Sequence, residues 1–495
     1  MSQKKSLEIR KELQEIERKE SEKNFRDYCL SHGHRPVSRR ELLGAGLLSF
    51  TASMTVPTLA GMMIPRYARA SENCPSSIAG GSGMASFITL NLAGGAMLAA
   101  NYLPTDRGGQ PLPTYNIMGL GNGAVPIERE FGNVPFAGDD GTGNIISKLL
   151  VGIRATASQG TLTKTAFVSV PVRSRDDSGA NPFDISGLVA KAGLLGAELP
   201  NLGRRQSDTG MNHMYAKVKP PTPLIVGNYS DIDGALNLGA TGPLSSLSEE
   251  QRVSVLGLVK KLSESQTNRV LQNAGGRMLS SLVECAIGKN IEIAQAEKPS
   301  VDVRQDASLS GVWGVNTGTN NNSQEVIFGS MVKAGLIGTA GTVTLERGGY
   351  DYHNNTRTTG DQRDQEAGET IGRILESASL LNKKVFLYVT SDGACVSPTS
   401  DDRNAPWRSD RGSAGIVYML AFDPNGRPET SGHMVGHFTD GQAADNTFIT
   451  GGSPELAASA VFANYLKFNN RMDLIQPVLG STFNTSQLDQ VIKFG

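Results

Sequence analysis

The chain has 495 residues, 38% of them hydrophobic, and sets 47 Lys plus Arg against 48 Asp plus Glu. This near-neutral balance excludes the global positive field that gathers nucleic acid or an anionic bilayer, while the length allows one large α/β domain or two to three smaller ones. The 57 glycines, mixed with Ser, Thr and Asn between apolar runs, predict long surface loops on a compact scaffold.

Residues 1–37 form a charged leader in which Ile9, Leu13 and Ile16 recur at helical spacing, predicting a solvated cytoplasmic helix. SRRELL follows, then an uncharged segment from Gly44 to Ile64 and PRYARA ending at Ala70. A basic pair, a weakly apolar stretch and a small-x-small site predict a twin-arginine export signal over 38–70. Arg39 and Arg40 are the pair read by the twin-arginine export machinery, cleavage falls after Ala70, and the destination is the periplasm or cell envelope. Retention of 42–64 as a membrane anchor is the alternative outcome. Cys29, Cys74, Cys285 and Cys395 lack zinc-knuckle or redox-pair spacing, and export leaves Cys74, Cys285 and Cys395, enough for at most one disulfide of unspecified pairing.

In the exported part, 71–495, strand-like runs are SFITLNL (86–92), TAFVSVPV (165–172), TVTLE (342–346), VFLYVTS (385–391) and AGIVYMLAF (414–422). Helical patterns separate them: ISKLLVGIRATA, DISGLVAKAGLLG, SEEQRVSVLGLVKKLSES, EAGETIGRILESASLLN and PELAASAVFANYLKF. This alternation predicts a single α/β domain with a central, mostly parallel sheet flanked by helices, and a helical insertion at about 195–275. The ligand crevice of such a sheet lies beyond its strand ends, so the loops beginning at Ala93, Arg347, Asp392 and Asp423 are the candidate site.

Three of these loops carry chemistry. Gly348 and Gly349 precede Asp351 and His353; Asp392 opens a loop that contains Asp401, Asp402, Asp410 and Arg411; and SGHMVGHFTDG offers His433 and His437, four residues apart. Converging Asp and His side chains are what a two-metal hydrolase needs. Asp351, His353, Asp392 and Asp410 are the candidate ligands, and an Asp-His set suits zinc, manganese or iron better than calcium. A divalent metal (zinc, manganese or calcium) is the cofactor this implies. Turn-capping aspartates and a hydrogen-bonding histidine are the structural alternative. In FAGDDGTGNIISKLL, Thr142 and Ser147 stand near a helix start as hydroxyl nucleophiles or plain N-caps. Arg411 offers a fixed charge and fork for an anion, or a structural ion pair with Asp410 or Asp392.

The arginine-pair leader, SFITLNLAGG, GGYDYH, the SDG loop and GGSPELAASAVF together resemble domain-of-unknown-function family 1501, over about 85–470. The resemblance implies an alkaline phosphatase and sulfatase-like fold with a metal crevice at the strand ends. Two departures stand out: Gly94 and Gly95 are followed by Ala96 and Met97 where the family pattern has a carboxylate, and Asp410 is followed by Arg411 where it has His. The resemblance thus implies a degraded metal site and non-catalytic binding or scaffolding in the cell envelope. The alternatives are a metal-dependent phosphate- or sulfate-ester hydrolase with an altered site, whose catalytic candidates are Thr142, Ser147 and Arg411, or an envelope-assembly component with another envelope protein as partner.

Overall fold

A computed structural model describes residues 83–101, 105–109, 112, 124–127, 131–132, 134–137, 147–175, 181–194, 196, 199–203, 224–238, 250–251, 254, 257–258, 300–352, 357–391, 393–396 and 408–495. The leader, Arg39, Arg40, the apolar segment and Ala70 lie outside them. None of the described helices is long and apolar enough to cross a membrane.

In chain order the strands are β1 (Ser86–Leu92), β2 (Ala124–Ile127), β3 (Val134–Ala137), β4 (Thr165–Pro171), β5 (Leu199–Gly203), β6 (Leu224–Ile225), β7 (Ala340–Arg347), β8 (Val385–Ser391), β9 (Cys395–Val396), β10 (Arg408–Asp410) and β11 (Ile416–Phe422). Seven of them form the main sheet in the order β4-β11-β8-β1-β7-β5-β6. β11 runs antiparallel to both its neighbours, and the other pairings are parallel. The predicted α/β architecture with a mostly parallel sheet is therefore present.

Every residue of β1, β4, β8 and β11 is buried, as continuous apolar runs require when helices cover both faces. The period of two sorts their side chains into two cores. On one face Ile88, Leu90, Leu387, Val389 and Leu420 pack with Leu149, Ile153, Met331, Ile371 and Ile374 from helices Lys148–Thr156, Gln324–Leu336 and Arg357–Leu380. On the other, Phe87, Phe386, Tyr388, Val417 and Met419 meet Leu188 and Val189 of helix Ser186–Lys191 and Ala457, Val461, Phe462 and Tyr465 of helix Pro454–Phe468. Ser453 starts the latter helix by accepting a hydrogen bond from Leu456 N, with Pro454 in its first turn.

Helices Lys148–Thr156 and Arg357–Leu380 touch backbone to backbone. A Cβ at Gly368 would lie 2.0 Å from Leu149 O, and one at Gly152 2.1 Å from Gln365 O, so only glycine permits the approach. Thr156 Oγ1 ties the pair by donating to Glu369 O at 2.9 Å.

The structure differs from the sequence reading in three places. β5 and β6 come from the expected helical insertion at 195–275 yet extend the main sheet beside β7; helix Tyr229–Leu238 also belongs to that span. The helix expected over 184–196 is confined to Ser186–Lys191, because Gly193, at φ +106, leaves helical geometry. Reversal of β11 carries the loop at Asp423 to the opposite end of the sheet, where Lys384 Nζ lies 2.5 Å from Asp423 Oδ2. That loop leaves the candidate site. The segment before β11, which holds Arg411, takes its place.

Candidate functional site at the strand ends

The β1 exit organises the site. Gly94 and Gly95, at φ +117 and +91, turn the chain in a conformation closed to most side chains. A Cβ on Gly94 would sit 2.8 Å from Asp351 N. Ala93 N donates to Arg347 O, and Tyr350 N donates back to Ala93 O. On the opposite flank Ser391 Oγ donates to Leu92 O and accepts from Ala96 N at 2.7 Å. Arg411 N donates to Ala394 O at 2.5 Å. The loops after β7, β1 and β8 and the segment before β11 thus lie side by side at one edge.

This places the predicted residues as follows. Asp351 is exposed at that edge. Its neighbours Tyr350 and Tyr352 are fully buried, so the aromatic-Asp-aromatic spacing of GGYDYH turns two rings inward and one carboxylate outward. Tyr350 OH donates to Arg363 O, and Tyr352 OH to Asp364 Oδ1, each at 2.9 Å. Asp410 belongs to β10 and pairs with Cys395 across the small β9-β10 ribbon, which brings its backbone beside Arg411. His353, Asp392, Thr142, Asp401 and Asp402 lie outside the described residues, as do Cys74 and Cys285. Cys395 is buried, its thiol 3.8 Å from Gly95 O.

Of the four candidate metal ligands, only Asp351 has its side chain among the described residues. Ala96 and Met97, 1% exposed, are packed into the hydrophobic core. Among the described residues no group of three or more His, Cys, Asp or Glu side chains is arranged to hold a metal. Arg411, a cation itself, donates through Nε to Ser413 Oγ at 3.3 Å and through Nη2 to Gly441 O at 2.5 Å. The side chains of Asp410 and Asp392, the partners weighed for a structural ion pair with Arg411, lie outside the described residues.

Ser147 is the N-cap of helix Lys148–Thr156. Its Oγ, fully buried, accepts from Leu150 N and donates to Asn101 Oδ1 at 3.0 Å. A sealed hydroxyl without a base beside it cannot attack a substrate, so the nucleophile reading of Ser147 is corrected to a capping role. His433 and His437 lie in extended loop rather than helix, so their four-residue spacing does not align them. His433 is held below its usual range by burial and by Lys493. His437 Nε2 meets Asp445 Oδ2 at 2.7 Å within a hairpin in which Phe438 pairs with Ala444. Asp445 is held below the usual carboxylate range by the Thr447 backbone N–H and by His437.

The sequence reading missed Asp364. It is fully buried, accepts from Asn101 Nδ2 at 2.6 Å and from Tyr352 OH, and is pushed up to about 7 by burial, against those two hydrogen bonds. Asp361 beside it is raised as well, also by burial. The signal was present: Asp364 falls at core spacing with Gly360, Ala367, Gly368 and Ile371 on the buried face of its helix. This network fastens the strand-end loops to the helix layer from below.

Compared with known protein families, characterised proteins and solved structures, the chain matches none.

Proposed function

We propose that this chain is an exported protein of the cell envelope that uses an alkaline phosphatase-like strand-end crevice to bind a ligand without catalysis. The β1 exit carries the reading: its Ala96 and Met97 are buried in apolar core at the point where a cation-binding crevice needs a carboxylate. Arg411 supports it from the facing segment, because a guanidinium repels a cation and attracts an anion. Export rests on the pair Arg39 and Arg40 and the segment that follows, and membership of the family of unknown function rests on GGYDYH and its companion motifs.

The test is metal content together with turnover of aryl phosphate and aryl sulfate esters, on protein recovered from its own compartment. Substoichiometric metal and no turnover above background are expected. A retained metal with turnover that vanishes on Asp351→Ala would overturn the reading in favour of a hydrolase with an altered site.

A further inference from the structure

One row of register partners crosses the main sheet: Ala421 of β11, Phe386 of β8, Phe87 of β1, Thr342 of β7 and Asn201 of β5. Register partners project from the same face, so these five side chains stand side by side. The row is apolar over its first three members and polar over its last two. Helix Ser186–Lys191 packs against β7, and its Leu188 and Val189 share a core with Phe87, so it covers this face. Thr342 is 1% exposed and Asn201 3%, which closes both off from bulk water.

Each of the two brings into the row a buried oxygen that the protein does not satisfy. Among the described residues, neither Thr342 Oγ1 nor Asn201 Oδ1 has a hydrogen-bond partner. Leaving such an atom unpaired forfeits its hydration with nothing returned. Neighbouring strands lie about 4.8 Å apart, so the two side chains share one small space. Two hydrogen bonds of about 2.8 Å each, meeting at one oxygen, bridge a gap of that size. The amide oxygen only accepts, a hydroxyl donates or accepts, and water does both, so a single molecule completes the pair. Burial of both residues leaves no opening for a larger ligand. The next register partners on this face are Gly203, without a side chain, and Thr344, half-exposed, and they give water a lane to the site.

We propose that Asn201 and Thr342 form a binding site for one structural water, which donates to Asn201 Oδ1 and exchanges its second hydrogen bond with Thr342 Oγ1. The molecule lies across the junction of β7 with β5, the strand by which the segment after Gly196 joins the main sheet. It fastens that junction through side chains, in addition to the ladder between the two strands.

A high-resolution crystal structure of the full chain tests it. One ordered water within hydrogen-bond distance of both Asn201 Oδ1 and Thr342 Oγ1 is expected. Direct bonding between the two side chains, an unfilled gap, or a larger molecule in that place overturns the site. Urea unfolding supplies an independent readout through Thr342→Val, Asn201→Leu and the double variant. A shared water couples the two positions, so the double variant shifts the unfolding midpoint by less than the sum of the single shifts. Additive shifts overturn the bridge. Should the leucine variant not fold, crystal structures of the parent and of Thr342→Val decide: the water is present in the first and lost or displaced in the second, and a water unmoved by Thr342→Val overturns the role of Thr342.

Discussion

On one face of the sheet, Gly152, Gly368 and Gly372 bring two helices into backbone contact above a sealed polar chain running from Ser147 through Asn101 and Asp364 to Tyr352. On the other, Ala457, Ala458, Ala460 and Ala463 pack with rings: Phe386 stacks beside Phe87 at 6.0 Å and meets Tyr465 edge-on at 5.4 Å. The first layer depends on shape and hydrogen bonding, so it tolerates no added atom and responds to protons. The second depends on apolar volume, so it responds to lost methylenes and little to pH.

The sharpest way to break this contrast is Gly368→Val. Its Cβ would overlap the Leu149 carbonyl, and a loss of more than about 4 kcal/mol is expected in denaturant unfolding, since neither helix backbone can give way. Ala460→Gly on the opposite face costs about 2 kcal/mol, the helix-propensity difference plus one buried methyl. Equal losses at the two positions would erase the distinction between the layers.

Next in size is the titration of Asp364. Its folded value of about 7 lies above the ordinary 3.8, so the folded state holds a proton that the unfolded chain releases. The stability this contributes is therefore full below about pH 4 and is lost as pH rises through about 7, amounting to a few kcal/mol. Asp361 acts in the same direction. Asp364→Asn, whose amide can accept from Asn101 and donate to Tyr352 OH, flattens the stability profile between pH 4 and 7 and leaves the variant more stable than the parent at pH 8. A parent profile that rises over that interval would contradict the placement of this carboxyl.

The smallest effect compares two caps. Ser453→Ala removes the N-cap bond and a part-buried hydroxyl donation to Glu455 Oε2, whose acceptor water can serve instead, and costs about 1 kcal/mol. Ser147→Ala removes the equivalent bond and also the hydroxyl donor to Asn101, so about 2 kcal/mol is expected. Thermal melts of the two variants under one buffer measure the difference.

Much of the scaffold was legible from local pattern. β8 and helix Pro454–Phe468 begin and end where their residues predict, the helix because Ser453 and Pro454 mark its start. Helix Gln324–Leu336 was not anticipated, since its residues are buried from Val326 to Leu336 and a helix covered all round shows no amphipathic period. Helix Arg357–Leu380 starts nine residues earlier than its apolar pattern suggests because Gly360 and Asp364, not apolar side chains, face inward there. The direction of β11 has no signature in its own residues, so the end of the sheet at which Asp423 lies could not be read from them. That the loops after β1, β7 and β8 leave one edge of the sheet was legible from strand-end logic. The partnerships of Asp364 with Asn101, 263 residues away, and of Arg173 with Ala444 were not, because no local pattern encodes a contact at such separation.

The segment around Met434 runs along the outer side of β4, with Ser169 N donating to His433 O and Val435 N donating to Ser169 O. It occupies amide and carbonyl groups that a terminal strand would otherwise offer to a second molecule. At the far margin β6 is two residues long, too short to recruit a strand of useful length. Among the described residues, both borders of the sheet are thus poor templates for strand addition.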